Sequence, residues 1–162
     1  MPRHRLDDPS QMIASKLRAL HGYWNAKRRA RAMPARSDID PVDLPPLLPN
    51  LMLVDVAGDP LRFRFRLVGT EIVSRHGMEL TGRDLEDIGL GTELGAVRSQ
   101  YEVTVREAAP TYCRHALETK AGKYLRYERL LLPPSTAGVH VPKMLGGVYL
   151  LPDDAAVTPP RR

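Results

Sequence analysis

The side chains able to do chemistry are few and scattered. Cys113 and His115 stand two apart in TYCRH, His76 lies in SRHGMEL, and His140 sits far along the chain. On a strand, residues two apart point the same way, as a thiol–imidazole pair requires. A working pair also needs an orienting third group and oxyanion donors, and neither is evident. The chain has no GxSxG, Walker loop, HExxH or dinucleotide-binding glycine pattern, so no enzyme is expected. The histidines lack ligand spacing, so no metal centre is expected. A single cysteine excludes an internal disulfide and any multi-cysteine cluster, and Cys113 reads as a small buried hydrophobe.

The other conspicuous group is an arginine triplet, Arg62, Arg64 and Arg66, alternating with Leu61, Phe63, Phe65 and Leu67. A period of two is the mark of a strand with one apolar and one charged face. The arginines then admit three readings: charge that protects a sheet edge, ion pairs with the N-terminal segment or a partner, or contact with an anion or nucleic acid. Edge protection needs no partner and is preferred. The net charge of +5 does not favour nucleic acid. Residues 1–36 hold nine Lys or Arg against two Asp, whereas the remaining 126 residues hold 15 basic and 17 acidic side chains. The body is near neutral, so a basic face on it is not expected.

These residues need a scaffold, and 162 residues suffice for one domain with extensions. Hydrophobic content of 43% and charged content of 27% suit a soluble globular protein. No apolar run nears the roughly 20 residues that cross a bilayer, and the first residues do not resemble a signal peptide. A cytoplasmic protein with no membrane span is expected.

Residues 10–32 read as one amphipathic helix with Ser10 as N-cap and Pro34 as stop. Ile13, Leu17, Leu20 and Trp24 form its stripe, widened by Met12 and Tyr23. Such a stripe must bury against the domain's own sheet, the same helix of a second subunit, or both. A proline-punctuated connector, SDIDPVDLPPLLP, leads to LMLVDV, an apolar run suited to a central strand, and the turn AGDP pairs it with the alternating strand. Short helices are expected over 70–91 and a longer one over 92–108, with Leu94, Val97, Tyr101 and Val105 along one face. Three strands follow at 111–119, 123–132 and 144–151, the first two joined by a tight turn at Ala121-Gly122, and the tail from Pro152 is expected to be disordered. The fold class is α+β, a five-stranded, mostly antiparallel sheet with inserted helices.

That order resembles the PAS domain. Tyr23-Trp24 with the basic run, Pro34 through SDIDP, Leu48-Pro49 before LMLVDV, FRFRLVGT, HGMELTGRDL and YERLLLP make the chain similar to the small single-domain PAS family common in alphaproteobacteria. The resemblance divides the chain into an N-terminal basic helix and flank at 1–36, a PAS-like domain at 37–151 and a flexible tail at 152–162. It implies a sensory or protein-interaction module whose curved sheet encloses a small cavity, without implying a ligand. Haem-binding PAS proteins usually supply a His from the long helix, and residues 92–108 contain none, so haem is not expected, although His76 or His115 leaves another geometry open. Cys113 lies on a strand rather than in the helical Asn-Cys-Arg-Phe type of motif that forms flavin adducts, so flavin is not expected either.

A cavity lined by the sheet's inner face and the long helix would draw on Phe65, Leu67, Ile72, His76, Tyr101, Tyr112, His115, Tyr124 and Tyr127. Alternation lets only one of Tyr112 and His115, and one of Tyr124 and Tyr127, point inward. The alternative, that the same residues simply fill the core, is the preferred reading. With only a short tail after the last strand, signals are expected to leave through a homodimer or a signalling partner, docked by Ile13, Leu17, Leu20 and Trp24. The rival reading is a small-molecule or cofactor sensor whose pocket is the main function.

Overall fold

The computed structural model describes residues 5–34, 36–118, 124–133 and 142–151. The turn expected at Ala121-Gly122, most of the loop that follows the fourth strand, and the tail from Pro152 lie outside the described residues. The elements are helix α1 (Ser15–Arg28), strands β1 (Leu51–Ala57) and β2 (Arg62–Val68), helices α2 (Thr70–His76) and α3 (Leu94–Glu107), and strands β3 (Thr111–Glu118), β4 (Tyr124–Leu132) and β5 (Lys143–Leu150). Single 3-10 turns fill much of the connections. The five strands form one antiparallel sheet in the order β2-β1-β5-β4-β3, as the α+β expectation required.

The sheet is covered on both faces, so β1 is buried over all but its last residue. On the inner face, Met52, Val54 and Val56 of β1 and Phe63 and Phe65 of β2 pack with Leu80, Leu85 and Ile88 and with Val97 and Tyr101 of α3. On the outer face, Leu51, Leu53, Leu130, Leu132 and Leu145 pack with Met12, Leu47 and with Leu17, Leu20 and Trp24 of α1. Burying a side chain of that size contributes about 2 kcal/mol, so α1 is a substantial part of the domain's stability. The twin glycines of β5 make both approaches possible. A Cβ on Gly147 would sit 2.8 Å from the Cδ2 atoms of both Leu17 and Leu20, and one on Gly146 would sit 2.6 Å from Met52 Cε.

Two local expectations need correction. Helix α1 does not start at Ser10: Asp8 caps a 3-10 turn by accepting from the Ser10 amide, and the helix begins at Ser15 with Ala14 as an N-cap that offers no side-chain bond. It ends at Arg29, whose φ of 55° departs from the helix before Pro34 is reached. The alternation in β2 also breaks. Val54 pairs with Phe65 and Leu53 with Leu67, so Arg66 is an extra residue and a β-bulge. Leu67 therefore leaves the face of Phe65 and is exposed, while Val68 packs against the inner core.

The sheet's edges are covered by backbone. Along β2, Phe65 exchanges backbone hydrogen bonds with Gly82 and Arg83, and Asp84 bridges Arg64. Asp84 also pairs with Arg62 at 3.0 Å and Arg64 at 2.8 Å, while Arg66 pairs with Asp55 at 2.6 Å. The arginine triplet thus finds carboxylates within its own chain, and the TGRD turn shields the edge. Along β3, Arg5 bridges Thr111 and the Leu6 amide donates to the Pro110 carbonyl at 3.1 Å.

Candidate functional site

Polar groups gather where β3 and β4 meet, and they divide by face. Alternation sends Glu128 to the outer face and its neighbour Arg129 to the inner face. Both side chains are buried.

Glu128 has no exposed surface, and its two oxygens accept the backbone amides of Ile13 at 2.7 Å and Ala14 at 2.6 Å. Those amides enter α1, whose own N-cap supplies no oxygen. A carboxylate more than 110 residues away along the chain thereby does the work of a helix cap and also meets the positive end of the helix. The Tyr112 hydroxyl donates to the same carboxylate, and Arg114 donates to that hydroxyl at 2.7 Å and to the Gln11 carbonyl. Burial, together with the bond to Glu128, raises the Tyr112 phenol above its usual range. Arg18 closes the turn by donating to the carbonyls of Met12 at 2.5 Å and Ile13 at 2.9 Å.

Arg129 sits on the other face, 5% exposed, among Gln100 and Tyr101 of α3, Cys113 of β3 and Tyr127 of β4. Its Nε donates to Gln100 Oε1 at 2.7 Å, and the Cys113 thiol donates to the same oxygen at 3.2 Å. Gln100 Nε2 donates to Thr111 Oγ1 at 3.2 Å and to the Arg129 carbonyl at 3.4 Å, so this amide is fully used. Thr104 and Thr111 share a hydrogen bond at 2.5 Å beneath it. The guanidinium lies 5.8 Å from the ring centres of both Tyr101 and Tyr127. Its Nη2 is buried and has no hydrogen-bond partner among the described residues. Burial pushes the Tyr101 phenol up to about 12 and lifts the Cys113 thiol and the Tyr127 phenol as well.

The residues expected to line a cavity separate accordingly. Phe65 and Tyr101 are inner core and Ile72 packs against it, with the Tyr101 hydroxyl donating to Met52 Sδ at 3.6 Å and its ring edge-on to Phe63. His115 and Tyr127 are cross-strand partners whose rings stack at 5.7 Å beside Arg129. Tyr112 faces outward to Glu128, Leu67 is displaced by the bulge, and His76 is exposed, its Nε2 donating to the Ile88 carbonyl at 2.6 Å. The side chain of Tyr124 lies outside the described residues. Of the four expected interface residues, Leu17, Leu20 and Trp24 are buried in the chain's own outer core and only Ile13 is exposed, so with α1 docked this stripe is closed to a second protein. Gln100, Thr104, Thr111, Glu128 and Arg129 were not expected here. Their one signal in the sequence is a Glu-Arg pair inside the apolar strand YERLLLP, where solvent should not reach.

Among the described residues no group of three or more His, Cys, Asp or Glu is placed to hold a metal ion, and no helix is long and apolar enough to cross a membrane.

A family model described as a PAS domain matches residues 12–149. The chain belongs to the PAS domain family, a family of sensory and regulatory modules. Among solved structures, the PAS domain from Bordetella pertussis BvgS is similar at 15% identity, over 65% of this chain and 79% of that one, with a TM-score of 0.49. No curated protein matches.

Proposed function

We propose that this chain is a non-enzymatic, cytoplasmic PAS module that signals through protein contacts, with the docking of α1 on its own sheet as the switched element. The carrying observation is Glu128, a buried carboxylate that caps α1 from the opposite side of the domain boundary expected near residue 36. A helix held by a remote carboxylate, an apolar stripe and the surface bonds of Tyr23 to Asp40 and Asp43 can exchange between docked and released states. Release uncovers Leu51, Leu53, Leu130, Leu132 and Leu145 together with Leu17, Leu20 and Trp24. A patch of that kind does not remain in water, and the surface that matches it is the same patch on a second copy.

Light scattering of the full chain tests this reading. Glu128→Gln is expected to convert the protein from monomer toward dimer at micromolar concentration, with native far-UV dichroism retained. A released α1 in a protein that stays monomeric at every concentration would contradict it. The alternative, a ligand sensor whose pocket is the main function, is favoured by one observation, the unsatisfied guanidinium of Arg129.

A further inference from the structure

Arg129 is an anomaly in electrostatic terms. An arginine is always charged, and burying an unpaired charge is costly enough that proteins nearly always supply a carboxylate. Here every polar group close to the guanidinium is neutral: the Gln100 amide, the Tyr127 hydroxyl and the Cys113 thiol, with the Tyr101 and Tyr127 rings flanking it. Among the described residues no Asp or Glu forms an ion pair with it, and Nη2 is both buried and without a partner. The acidic neighbour on the strand, Glu128, points to the other face and is spent on α1.

We infer that Arg129 anchors a binding site for a small organic carboxylate on the inner face of the sheet, between Tyr101 and Tyr127 and beside His115. The chemistry follows from the surroundings. A guanidinium whose Nε is already held by Gln100 presents a fixed Nη2 donor, and a carboxylate oxygen is the acceptor that satisfies donor and charge together. The two tyrosine rings favour a flat apolar body on that carboxylate. Tyr127 and His115 are only half-buried and form the rim, so movement of this stacked pair opens the way in. Occupancy also has a short route to the outer face, because Arg129 follows Glu128 in β4 and pairs with Cys113, which follows Tyr112 in β3.

Carboxylate binding rests on the sensory reading for its purpose, and its test reads binding rather than helix docking, so either can fail alone. Benzoate and acetate are titrated into the full chain at constant ionic strength, following melting temperature and the amide and side-chain shifts of Tyr127 and His115. Benzoate is expected to raise the melting temperature progressively with the logarithm of its concentration, and acetate to do so more weakly. Arg129→Met is expected to weaken benzoate at least about tenfold, without melting below the wild type in benzoate-free buffer. Gln100→Glu, which sets an internal carboxylate against Nε, is expected to abolish the benzoate response while keeping the fold. Absence of any response to either anion in the wild type would overturn the site, as would an unchanged benzoate response in Arg129→Met. If benzoate binds and α1 remains equally docked, the site stands and its coupling to α1 is refuted.

Discussion

Glu128 and Arg129 are consecutive residues on one strand, equally hidden from solvent, and their circumstances are opposite. Glu128 receives two amides and a phenol, so each of its oxygens is answered by the fold itself. Arg129 has the Gln100 amide oxygen, the neutral groups of Tyr127 and Cys113 and two aromatic faces, and among the described residues nothing answers its Nη2. A satisfied buried charge fixes structure, whereas an unsatisfied one raises the free energy of the unliganded state and leaves room for a ligand to lower it. On the reading proposed above, the outer face holds α1 and the inner face takes the ligand.

The largest expected effect comes from breaking the satisfied side. Glu128→Ala leaves two part-buried amides without their acceptor and the Tyr112 hydroxyl without its carboxylate, and its expected cost is about 2–3 kcal/mol in chemical denaturation. A loss under about 0.5 kcal/mol would mean that solvent or another group replaces the carboxylate. Next is Gly147→Val, which drives a branched side chain against the Leu17 and Leu20 methyls. It is expected to cost about 1–3 kcal/mol and to loosen α1 without touching Glu128, separating the helix's packing from its cap.

A third effect concerns acid. Burial alone would raise the Asp55 carboxyl, but hydrogen bonds from Lys143 at 2.6 Å and from Arg66 outweigh it and hold it below the usual range. Hydrogen bonds from Arg64 and Arg62 lower Asp84 in the same direction. A carboxyl lowered in the folded state binds its proton less readily there than in the unfolded chain. The stability it contributes is therefore present above the ordinary carboxyl value and is lost as pH falls below it, through the folded value. Melting temperature should decline over that acid range, and Asp84→Asn should flatten part of the decline. The smallest effect is at Cys113, whose burial raises its thiol and removes it from solvent. Ellman's reagent should label the native protein slowly and the unfolded protein at once.

Much of the fold was legible from pattern alone. The alternating FRFR segment, the apolar LMLVDV run and the GT and TGRD breaks place strands and turns, because period and punctuation are local properties. The exceptions are instructive. Leu67 reads as the fourth member of an apolar face, but the bulge at Arg66 arises in pairing with β1 and leaves no mark in β2 itself. Ser10 is a sound local cap, yet the group that finishes α1 is Glu128, brought there by tertiary structure. The three exposed arginines of β2 read as edge protection, and their partners, Asp55 and Asp84, are set by tertiary pairing that the strand's own pattern does not show. The informative arginine was the single one inside YERLLLP. Its composition signal was present, but which face it takes and what it lacks depend on α3 and β3 lying beside it.

Whether Glu128 holds α1 in place is read by hydrogen exchange across Ser15–Arg28, compared between the wild type and Glu128→Gln under native conditions. In the wild type the amides around Leu17, Leu20 and Trp24 should be strongly protected. In the variant they should exchange at least about tenfold faster, with β1 and β5 still protected. Equal protection of α1 in both proteins would contradict that role of Glu128, since the helix would then owe its docking to the apolar stripe alone.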